Sequence, residues 1–469
     1  MTRKVLPKDP LAGATLSDLI SAVRRRELTA SALVQTYLER IALLDPQLGA
    51  FEHVAWDIAR AEAAECDRRL SLGEDVGPLA GLPIAVKDLF VVDGMPTGGG
   101  SNLDVSAMLT TGDGPVVARL RAAGAIVLGK TRTVEFAFGA SGISLSRGTP
   151  WNPADAREHR IPGGSSSGSA VAVAAGLAAF ALGSDTGGSV RIPAALCGIF
   201  GLKTSLGHWA TEGVLPLSPT FDTVGLLSRS AADAAVVFEL LSDARLPPAP
   251  DLAGLRFAEP SGYDLPLEPE VDAAFQAALD KLRGLGVTFG PVEMAEASER
   301  ADVFPVVLAT ELMDRFGADR FARDRGSIDP VVAKRMERGL QADRTPYDTA
   351  ITRHAALTDL MAERLAGFDG WVSPTTAVVA PVTDAFEDVE RGLQLTLGIT
   401  CYTQPGNLFG QCAVTLPLSS DKLPIGFQIS ASAGLDAELL AIALGLEAVF
   451  GQAAPRDMSD FLAGEIQDE

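Results

Sequence analysis

Apolar residues in the first part of the chain recur at the spacing of amphipathic helices. Ser17 is placed to cap a short helix that runs through Arg24. A longer helix follows, whose apolar positions share one face: Leu33, Val34, Tyr37, Leu38, Ile41 and Leu44. We expect it to stop before Pro46, because the residue that precedes a proline disfavours helical geometry. With a third, alanine-rich helix over residues 54–72, residues 1–75 are predicted to form a helical flank that packs on the rest of the chain.

From Gly81 onward the pattern changes to short apolar runs that alternate with helical segments. Strands are predicted at residues 84–86, 126–128 and 179–182, and helices at residues 115–123, 131–138 and 169–177. Such alternation is typical of an α/β layer fold, in which helices cover a central β-sheet. Active residues of that fold class lie on the loops at strand ends.

The second half of the chain opens with a break at residues 247–254, which we interpret as a loop within one domain. The predicted elements that follow are a strand at 255–258, a helix at 268–285, a strand at 287–289, and finally a strand at 424–429 and a helix at 436–450. Residues 295–368 between them are charged and mostly helical, which fits either a cap over a site or a solvated helical face. The interpretation is one domain over residues 1–469, with a core at 76–245, a helical insertion at about 290–368 and a return to the core at 369–450.

Composition narrows the classes of protein. Apolar residues make up 47% of the 469 positions, enough for a large core, but no stretch approaches the roughly 18 consecutive apolar residues of a membrane span. The start of the chain is charged and lacks the apolar segment of a signal peptide, so a cytoplasmic location without membrane attachment is expected. A net charge of −21 argues against nucleic-acid binding. The four cysteines lack metal-ligand spacing, so neither a metal site nor a disulfide framework is predicted.

One motif points to a different function. Residues 124–131, GAIVLGKT, fit the P-loop pattern G-x-x-x-x-G-K-[ST] letter for letter. In a P-loop the strand precedes the first glycine, and the intervening residues wrap around phosphate. Here the intervening residues are themselves the apolar strand, so their amides are committed to the sheet. Nucleotide binding is therefore not predicted.

Candidate chemistry concentrates in residues 160–193, RIPGGSSSGSAVAVAAGLAAFALGSDTGGSVRIP. Two glycine-serine loops, 163–169 and 183–189, are separated by an apolar run that predicts buried structure. Glycine allows positive φ and lets backbone N–H groups approach a ligand, as an oxyanion site requires. A serine at the end of such a loop is a candidate nucleophile.

A nucleophilic serine needs a base, and histidine is scarce. The chain has four histidines: His53, His159, His208 and His354. None of them lies in a recognisable triad motif. The remaining candidate is a lysine kept neutral by burial. Lys87 follows the apolar run of GLPIAVKDLF, which predicts a buried strand that delivers one amine to the interior.

Three segments together resemble the amidase signature family: GLPIAVKD around Lys87, PGGSSSGSAVAVAAG around Ser165, and ALGSDTGGSVRIPAALCGIFGLKTS around Ser189. The resemblance implies a mixed central β-sheet covered by helices on both faces, within a single amidase domain. It also implies Ser189 as the nucleophile, Ser165 as the bridging serine and Lys87 as the ultimate base, with a cis peptide bond before Ser165. The oxyanion would be held by the backbone N–H groups of Thr186, Gly187, Gly188 and Ser189.

Other site residues follow from the same resemblance. Ser166 is expected to support Ser165 by hydrogen bonding, and Asp185 and Arg191 are expected to be structural. The substrate pocket is predicted from six residues: Phe136, Phe138, Ser141, Trp209, Val378 and Phe409. Few charges lie in these segments, which favours neutral substrates. A buried carboxylate would need a cation to offset its desolvation, and Lys87 cannot be both that cation and a base.

The resemblance implies a serine hydrolase that cleaves C–N bonds of small neutral amides through an acyl-enzyme, with carbamates or esters as further substrates. No cofactor is expected, and the protein is expected to be a monomer or homodimer. The alternative is the glutamine-hydrolysing component of a tRNA-dependent amidotransferase, its A subunit, which works with a partner. The segments GSDTGGS and FGLKTS fit that subgroup, whereas LGHWATEGVLPLSPTFDTVG departs from it. Relative activity on glutamine and on neutral amides distinguishes the two.

Overall fold

A computed structural model describes residues 5–263, 265–420, 422–453 and 455–462. Its strands are β1 (Phe51–Val54), β2 (Pro83–Lys87), β3 (Ile126–Thr131), β4 (Ala181–Asp185), β5 (Phe200–Lys203), β6 (Thr223–Ser228), β7 (Arg256–Ser261), β8 (Thr288–Glu293), β9 (Gly370–Pro374), β10 (Cys412–Leu418) and β11 (Ile425–Ala431). Its α-helices in the first part of the chain are α1 (Leu16–Arg24), α2 (Ala30–Leu48), α3 (Trp56–Ser71), α4 (Pro115–Ala122), α5 (Ser167–Ala174), α6 (Arg191–Cys197) and α7 (Ala231–Ser242). The later ones are α8 (Pro269–Gly284), α9 (Arg300–Phe316), α10 (Ala318–Asp324), α11 (Pro330–Met336), α12 (Thr345–Arg364), α13 (Val389–Thr400), α14 (Gln404–Leu408) and α15 (Asp436–Phe450).

The strands form a single mixed sheet in the order β1-β3-β2-β4-β6-β5-β10-β11-β9-β7-β8. Strand β2 lies between β3 and β4 and is parallel to both, whereas the ladders from β4 to β9 are antiparallel. Every residue of β2, β3, β4, β5 and β6 is buried, so both faces of the central sheet are covered. The prediction of an α/β fold with a mixed central sheet is confirmed.

Two predictions for the N-terminal helices are corrected. Helix α1 is capped by Thr15 rather than Ser17, because the Thr15 hydroxyl accepts from the Asp18 N–H and the Asp18 carboxylate accepts from the Thr15 N–H. Helix α2 does not stop before Pro46 but continues to Leu48, where Gly49 ends it in a left-handed conformation. Burial of Leu48 continues the apolar face past the proline, so packing outweighs the lost backbone hydrogen bond.

A third correction concerns residues 131–138, for which the sequence predicts a helix. Strand β3 extends through Thr131, and only a single 3-10 turn follows, at Glu135–Ala137. Phe136 and Ala137 have φ of 52° and 59°, which no α-helix accommodates. Two further elements have different bounds from those predicted. Helix α3 begins at Trp56 rather than at Val54, because Val54 belongs to β1. Strand β4 runs from Ala181 to Asp185 rather than over residues 179–182.

The P-loop pattern is a sheet segment. Within it, Ile126 pairs with Pro83 and Val127 with Ile84 in the parallel ladder between β3 and β2. The backbone amides of these residues are therefore in the sheet ladder. The segment has the strand where a P-loop has its phosphate-binding turn, as the sequence indicated.

Residues 295–364 contain the four α-helices α9 to α12, with 3-10 turns before α9, after α10 and after α11. Helix α9 buries one side, including Val303, Phe304 and Val307, against the rest of the molecule. It is therefore not a fully solvated face. Within the described residues, no helix combines the length and apolar character that a membrane crossing needs.

Candidate active site

Strand β2 ends at Lys87, whose side chain is fully buried. The Lys87 amine Nζ donates to Ser165 Oγ at 2.8 Å and to Ser184 Oγ at 2.9 Å. Burial lowers the pKa of Lys87 to about 7, and the more distant carboxylates of Asp222 and Asp185 oppose this only in part. A substantial fraction of this lysine is therefore a neutral amine near pH 7.

Ser165 lies on the first glycine-serine loop, directly before α5. The peptide bond between Gly164 and Ser165 is cis. Gly163 has φ of 75°, and a Cβ there would come within 3.0 Å of the Pro193 backbone, so only glycine fits. The loop is thus packed against the start of α6 and presents the Ser165 hydroxyl to Lys87.

Ser189 lies on the second loop, between the end of β4 and the start of α6. Its carbonyl accepts from the Ser166 N–H at 3.2 Å, which joins the two loops. Ser189 is 7% exposed, whereas Lys87 and Ser165 are 0% exposed. Of the three residues, Ser189 is therefore the one that solvent or a small molecule can reach.

The oxyanion prediction is corrected at Gly188. The Gly188 N–H donates to Asp185 Oδ1 at 2.8 Å, so it is already occupied. In the described part of the chain, the N–H groups of Gly187 and Ser189 donate to no acceptor. The Thr186 hydroxyl donates to Asp222 at 2.6 Å, which fixes the start of this loop. The N–H groups of Ser189 and of Gly187, two residues earlier, are therefore the available pair of donors that an oxyanion would need.

Asp185 and Arg191 hold the second loop in place, as expected of structural residues. They form a fully buried ion pair, with Arg191 Nη2 at 3.0 Å from Asp185 Oδ1 and Nε at 3.1 Å from Oδ2. Burial would raise the pKa of Asp185, but Arg191 and Lys203 hold it well below its usual range. Because Asp185 also binds the Gly188 and Val190 N–H groups, the pair shapes the backbone on both sides of Ser189.

Sequence reasoning missed Ser184 and misassigned Ser166. Ser184 Oγ is the second acceptor of the Lys87 amine. Ser166 donates to the Ser184 carbonyl at 3.3 Å, and no hydrogen bond links its hydroxyl to Ser165 among the described residues. The signal for Ser184 is the parallel pairing of β2 with β4, which brings residue 86 opposite residue 182 and so places both strand ends together.

The six predicted pocket residues fall into different places. Trp209 is corrected: its indole donates to Ser242 at the end of α7 and its ring lies 5.7 Å from Phe238, so it packs on that helix. Ser141 lies beside the first loop, since its neighbour Ala140 accepts from the Gly164 N–H at 2.7 Å.

Of the remaining four pocket residues, Phe136 and Phe409 are buried, whereas Phe138 and Val378 are half-buried. Val378 packs in an apolar cluster with Ile192 of α6. Phe136 contacts Phe316, with ring centroids 5.6 Å apart. Phe138 lies under the Arg335 guanidinium, and Phe409 is in the main core.

Three residues that the sequence did not single out lie against the second loop. A Cβ on Gly187 would be 3.4 Å from the Phe304 ring and 3.5 Å from the Gln404 side chain. Thr403 donates to the Gly187 carbonyl at 3.0 Å. Phe304 also stacks on Phe221, with ring centroids 4.6 Å apart. The side chains that face Gly187 of this loop thus come from α9 and from the start of α14.

A buried lysine that donates to one serine hydroxyl, next to a second serine on a glycine loop, is an arrangement that suits nucleophilic catalysis by a serine with a lysine base. The amidase family profile matches residues 32–440, and the chain belongs to this family. A 2-amino-5-chloromuconic acid deaminase of Comamonas testosteroni is 38% identical over 454 residues, covering 94% of this chain and 97% of the relative. The A subunit of a glutamyl-tRNA(Gln) amidotransferase from Symbiobacterium thermophilum is 35% identical, covering 94% and 96%.

Solved structures agree with this assignment. A crystal structure of an amidase has a TM-score of 0.85 at 31% identity, covering 93% of this chain and all of the other. The peptide amidase of Stenotrophomonas maltophilia has a TM-score of 0.80 at 29% identity, covering 96% and 99%. The protein is therefore an amidase-family hydrolase that acts on carbon-nitrogen bonds.

Proposed function

We propose that the protein hydrolyses small amides through a covalent acyl-enzyme formed on Ser189. The Ser189 oxygen attacks the amide carbonyl while its proton passes to Ser165, whose own proton passes to the neutral Lys87 amine. The relay returns a proton to the nitrogen as the C–N bond breaks, so the amine or ammonia leaves neutral. Water then adds to the acyl group by the same relay and releases the carboxylic acid and free Ser189.

The tetrahedral oxyanion is held by the N–H groups of Gly187 and Ser189, with Thr186 at the edge of the same loop. Each such donor is worth about 3 to 4 kcal/mol of barrier in comparable sites. The Asp185–Arg191 pair holds these donors in place before the substrate arrives, so no reorganisation is needed during the reaction.

The observation that carries the proposal is the contact between a buried lysine and a serine hydroxyl. Burial lowers the pKa of Lys87 to about 7, and its amine lies 2.8 Å from the Ser165 hydroxyl. Ser165 is on the loop that also binds the Ser189 backbone. A general base works best when its pKa lies near the working pH. A lysine with an ordinary pKa near 10.5 would be protonated and unable to accept the proton.

The test is Ser189→Ala, with Ser167→Ala as the matched control. Ser167 is the first residue of α5, directly after the first loop, and its hydroxyl bonds only to the Arg132 carbonyl among the described residues. We expect Ser189→Ala to lose several orders of magnitude in kcat and to form no acyl adduct in mass spectra, while Ser167→Ala still forms it. A Ser189→Ala variant that turns over at near the native rate, or still traps the acyl group, contradicts the proposal.

Amides are the proposed substrates, with carbamates and esters as further candidates. The names of the relatives point to peptide amides, to an amino-substituted unsaturated acid and to glutamyl-tRNA(Gln). The sequence favours neutral substrates because it shows no buried cation other than Lys87 near the pocket. That premise does not hold, since Arg300 is buried beside Gln404. Arg300 is thus a second buried cation, which would offset part of the desolvation cost of a substrate carboxylate.

The amidotransferase alternative is kept because several relatives, at 32–35% identity, are amidotransferase A subunits. The two functions differ in the need for a partner and for glutamine. We expect the isolated protein to hydrolyse simple amides without any added protein. If glutamine exceeds other small amides by about tenfold or more in kcat/KM, about 1.4 kcal/mol of transition-state preference, and turnover requires a partner protein, the alternative replaces the proposal.

A further inference from the structure

Arg300 is a buried cation at the start of α9, only 8% exposed. Its Nε donates to the Tyr263 hydroxyl at 2.7 Å, and its Nη1 donates to Gln404 Oε1 at 2.6 Å. Burial raises the pKa of Tyr263 even though Arg300 opposes it, so the phenol is neutral at working pH. Both groups that bind the guanidinium are therefore uncharged.

No carboxylate of the described residues lies within ion-pair distance of Arg300. The preceding residue, Glu299, is already bound by both arms of Arg353, at 2.6 and 2.7 Å. A buried arginine without a counter-ion is costly, and the other deeply buried arginine near the site, Arg191, has Asp185 as its ion-pair partner. Arg300 therefore keeps a positive charge inside the protein for which the described residues supply no anion.

The position of Arg300 connects it to the loop of Ser189. Gln404, which accepts from Arg300, also lies 3.5 Å from where a Gly187 Cβ would be. Phe304 follows Arg300 by four residues on α9, hence on the same face one turn along, and lies 3.4 Å from that same point. The guanidinium is thus connected to the loop of the proposed oxyanion donors through Gln404, which it binds, and through Phe304, one helical turn further along α9. In the described part of the chain, its third nitrogen, Nη2, donates to no acceptor.

We propose that Arg300 binds a carboxylate of the substrate, so that the preferred amides carry a second, acidic group a few atoms from the scissile carbonyl. This inference rests on the proposed function, because it assumes that Ser189 attacks the amide carbonyl of the substrate. Guanidinium and carboxylate form strong charge-assisted hydrogen bonds, and the substrate would supply an anion that none of the described residues gives Arg300. Gln404 holds the guanidinium toward the loop, while Phe304 gives the connecting carbons an apolar surface.

The first experiment compares monoamides of dicarboxylic acids, from malonic to adipic, with amides in which an isopropyl group replaces the carboxylate. The readout is the ratio of kcat/KM for the acid to that for its neutral counterpart. We expect the wild type to favour the acid by at least about thirtyfold at the best chain length, roughly the strength of one buried charge-assisted contact. Arg300→Gln is expected to lower the ratio by a similar factor, and Arg300→Lys to retain part of it.

Arg353→Gln is the matched control, because Arg353 is on the same group of helices but is paired with Glu299. We expect its ratio to stay within about twofold of the wild type. If Arg300 only supports Tyr263 and Gln404, then Arg300→Gln lowers both rates equally and leaves the ratio unchanged. That outcome, or a wild type that favours the neutral amides, overturns the inference.

A binding measurement separates this inference from the proposed function. In the Ser189→Ala background, calorimetry with glutarate measures anion binding without any turnover. We expect binding that weakens by at least about tenfold when Arg300→Gln is added and that stays when Arg353→Gln is added instead. Arg300-dependent binding with no hydrolysis of any amide by the wild type would overturn the proposed function and support the anion site. Hydrolysis of neutral amides with no Arg300-dependent binding would do the reverse.

Discussion

Two buried lysines on neighbouring strands show what separates a base from a structural cation. Lys87 ends β2 and Lys130 lies on β3, where it pairs across the parallel ladder with Val86. Both side chains are fully buried. Lys130 donates to the Asp88 carboxylate at 3.1 Å, whereas the hydrogen bonds of Lys87 go to two serine hydroxyls.

The difference in partners decides the protonation state. Burial lowers the pKa of both lysines, but at Lys130 the adjacent Asp88 charge opposes the shift directly. The carboxylates that oppose it at Lys87 are Asp222 and Asp185, which its amine does not touch. An opposite charge in contact favours the ammonium form, while hydroxyls alone leave it poorly compensated. Equal burial on adjacent strands thus gives one ion pair and one candidate base.

The largest expected effect is on catalysis at Lys87. Lys87→Met keeps the apolar stem and removes the amine, so the proposed relay loses its final proton acceptor. We expect kcat to fall by about 10³-fold or more, within the range for loss of a general base, while the protein remains folded by circular dichroism. A Lys87→Met enzyme within tenfold of the native rate would remove Lys87 from the relay.

The converse effect is expected on stability at Lys130. Lys130→Met leaves the Asp88 carboxylate buried without its ion-pair partner, so we expect the free energy of unfolding in urea to fall by about 3 to 5 kcal/mol. Adding Asp88→Asn removes the unpaired charge and is expected to recover part of that loss. Equal stability losses in Lys87→Met and Lys130→Met would contradict the distinction between the two lysines.

The pH dependence sharpens the comparison further. Unfolded Lys87 holds its proton up to its ordinary pKa of 10.5, but the folded state holds it only below about 7. Between those values the unfolded state binds more protons, so this residue makes the free energy of unfolding rise with pH by about 1.4 kcal/mol per unit. We expect the wild type minus Lys87→Met difference to show this rise, and kcat/KM to increase through an apparent pKa near 7. A flat acid limb would contradict a neutral Lys87 base.

The smallest of these effects is expected at Ser184. The Ser184 hydroxyl accepts from the Lys87 amine and so stabilises the ammonium form more than the neutral form. Ser184→Ala removes this acceptor and is expected to lower the pKa of Lys87 further. We therefore expect the acid limb of the pH-rate profile to move to lower pH, with about a tenfold loss of kcat from the less fixed amine. Ser169→Ala, a buried serine bonded to Thr131 and the Leu182 carbonyl, is the control and is expected to leave the limb in place.

The parts of the site that the sequence predicted are those carried by local pattern. The strand before Lys87 and the two glycine loops follow from short apolar runs and from residues with special backbone freedom. Their spatial meeting follows from parallel pairing of β2 with β4. Phe304 and Gln404 could not be found this way, because they contact Gly187 from segments more than a hundred positions away in the sequence. Their residue types are also those of an ordinary core position and an ordinary surface position.

Corrections elsewhere have the same cause. The N–H of Gly188 looked available because glycine marks the loop, yet whether it is free depends on where the Asp185 carboxylate points. Pro46 looked like a helix end, but burial of Leu48 by other parts of the chain sustains α2 beyond it. Local rules predict what a segment favours, whereas contacts between distant segments decide the outcome.

The contacts of Arg191 have a consequence for biosynthesis. Its guanidinium binds the Thr403 carbonyl at 2.9 Å and Gln428 Oε1, 237 residues further along, also at 2.9 Å. A ribosome therefore makes the loop of Ser189 long before the residues that fix its arginine. Until β11 emerges, a nascent chain carries Ser189 on a loop without this support, so the loop gains these two contacts only after residue 428 has been made.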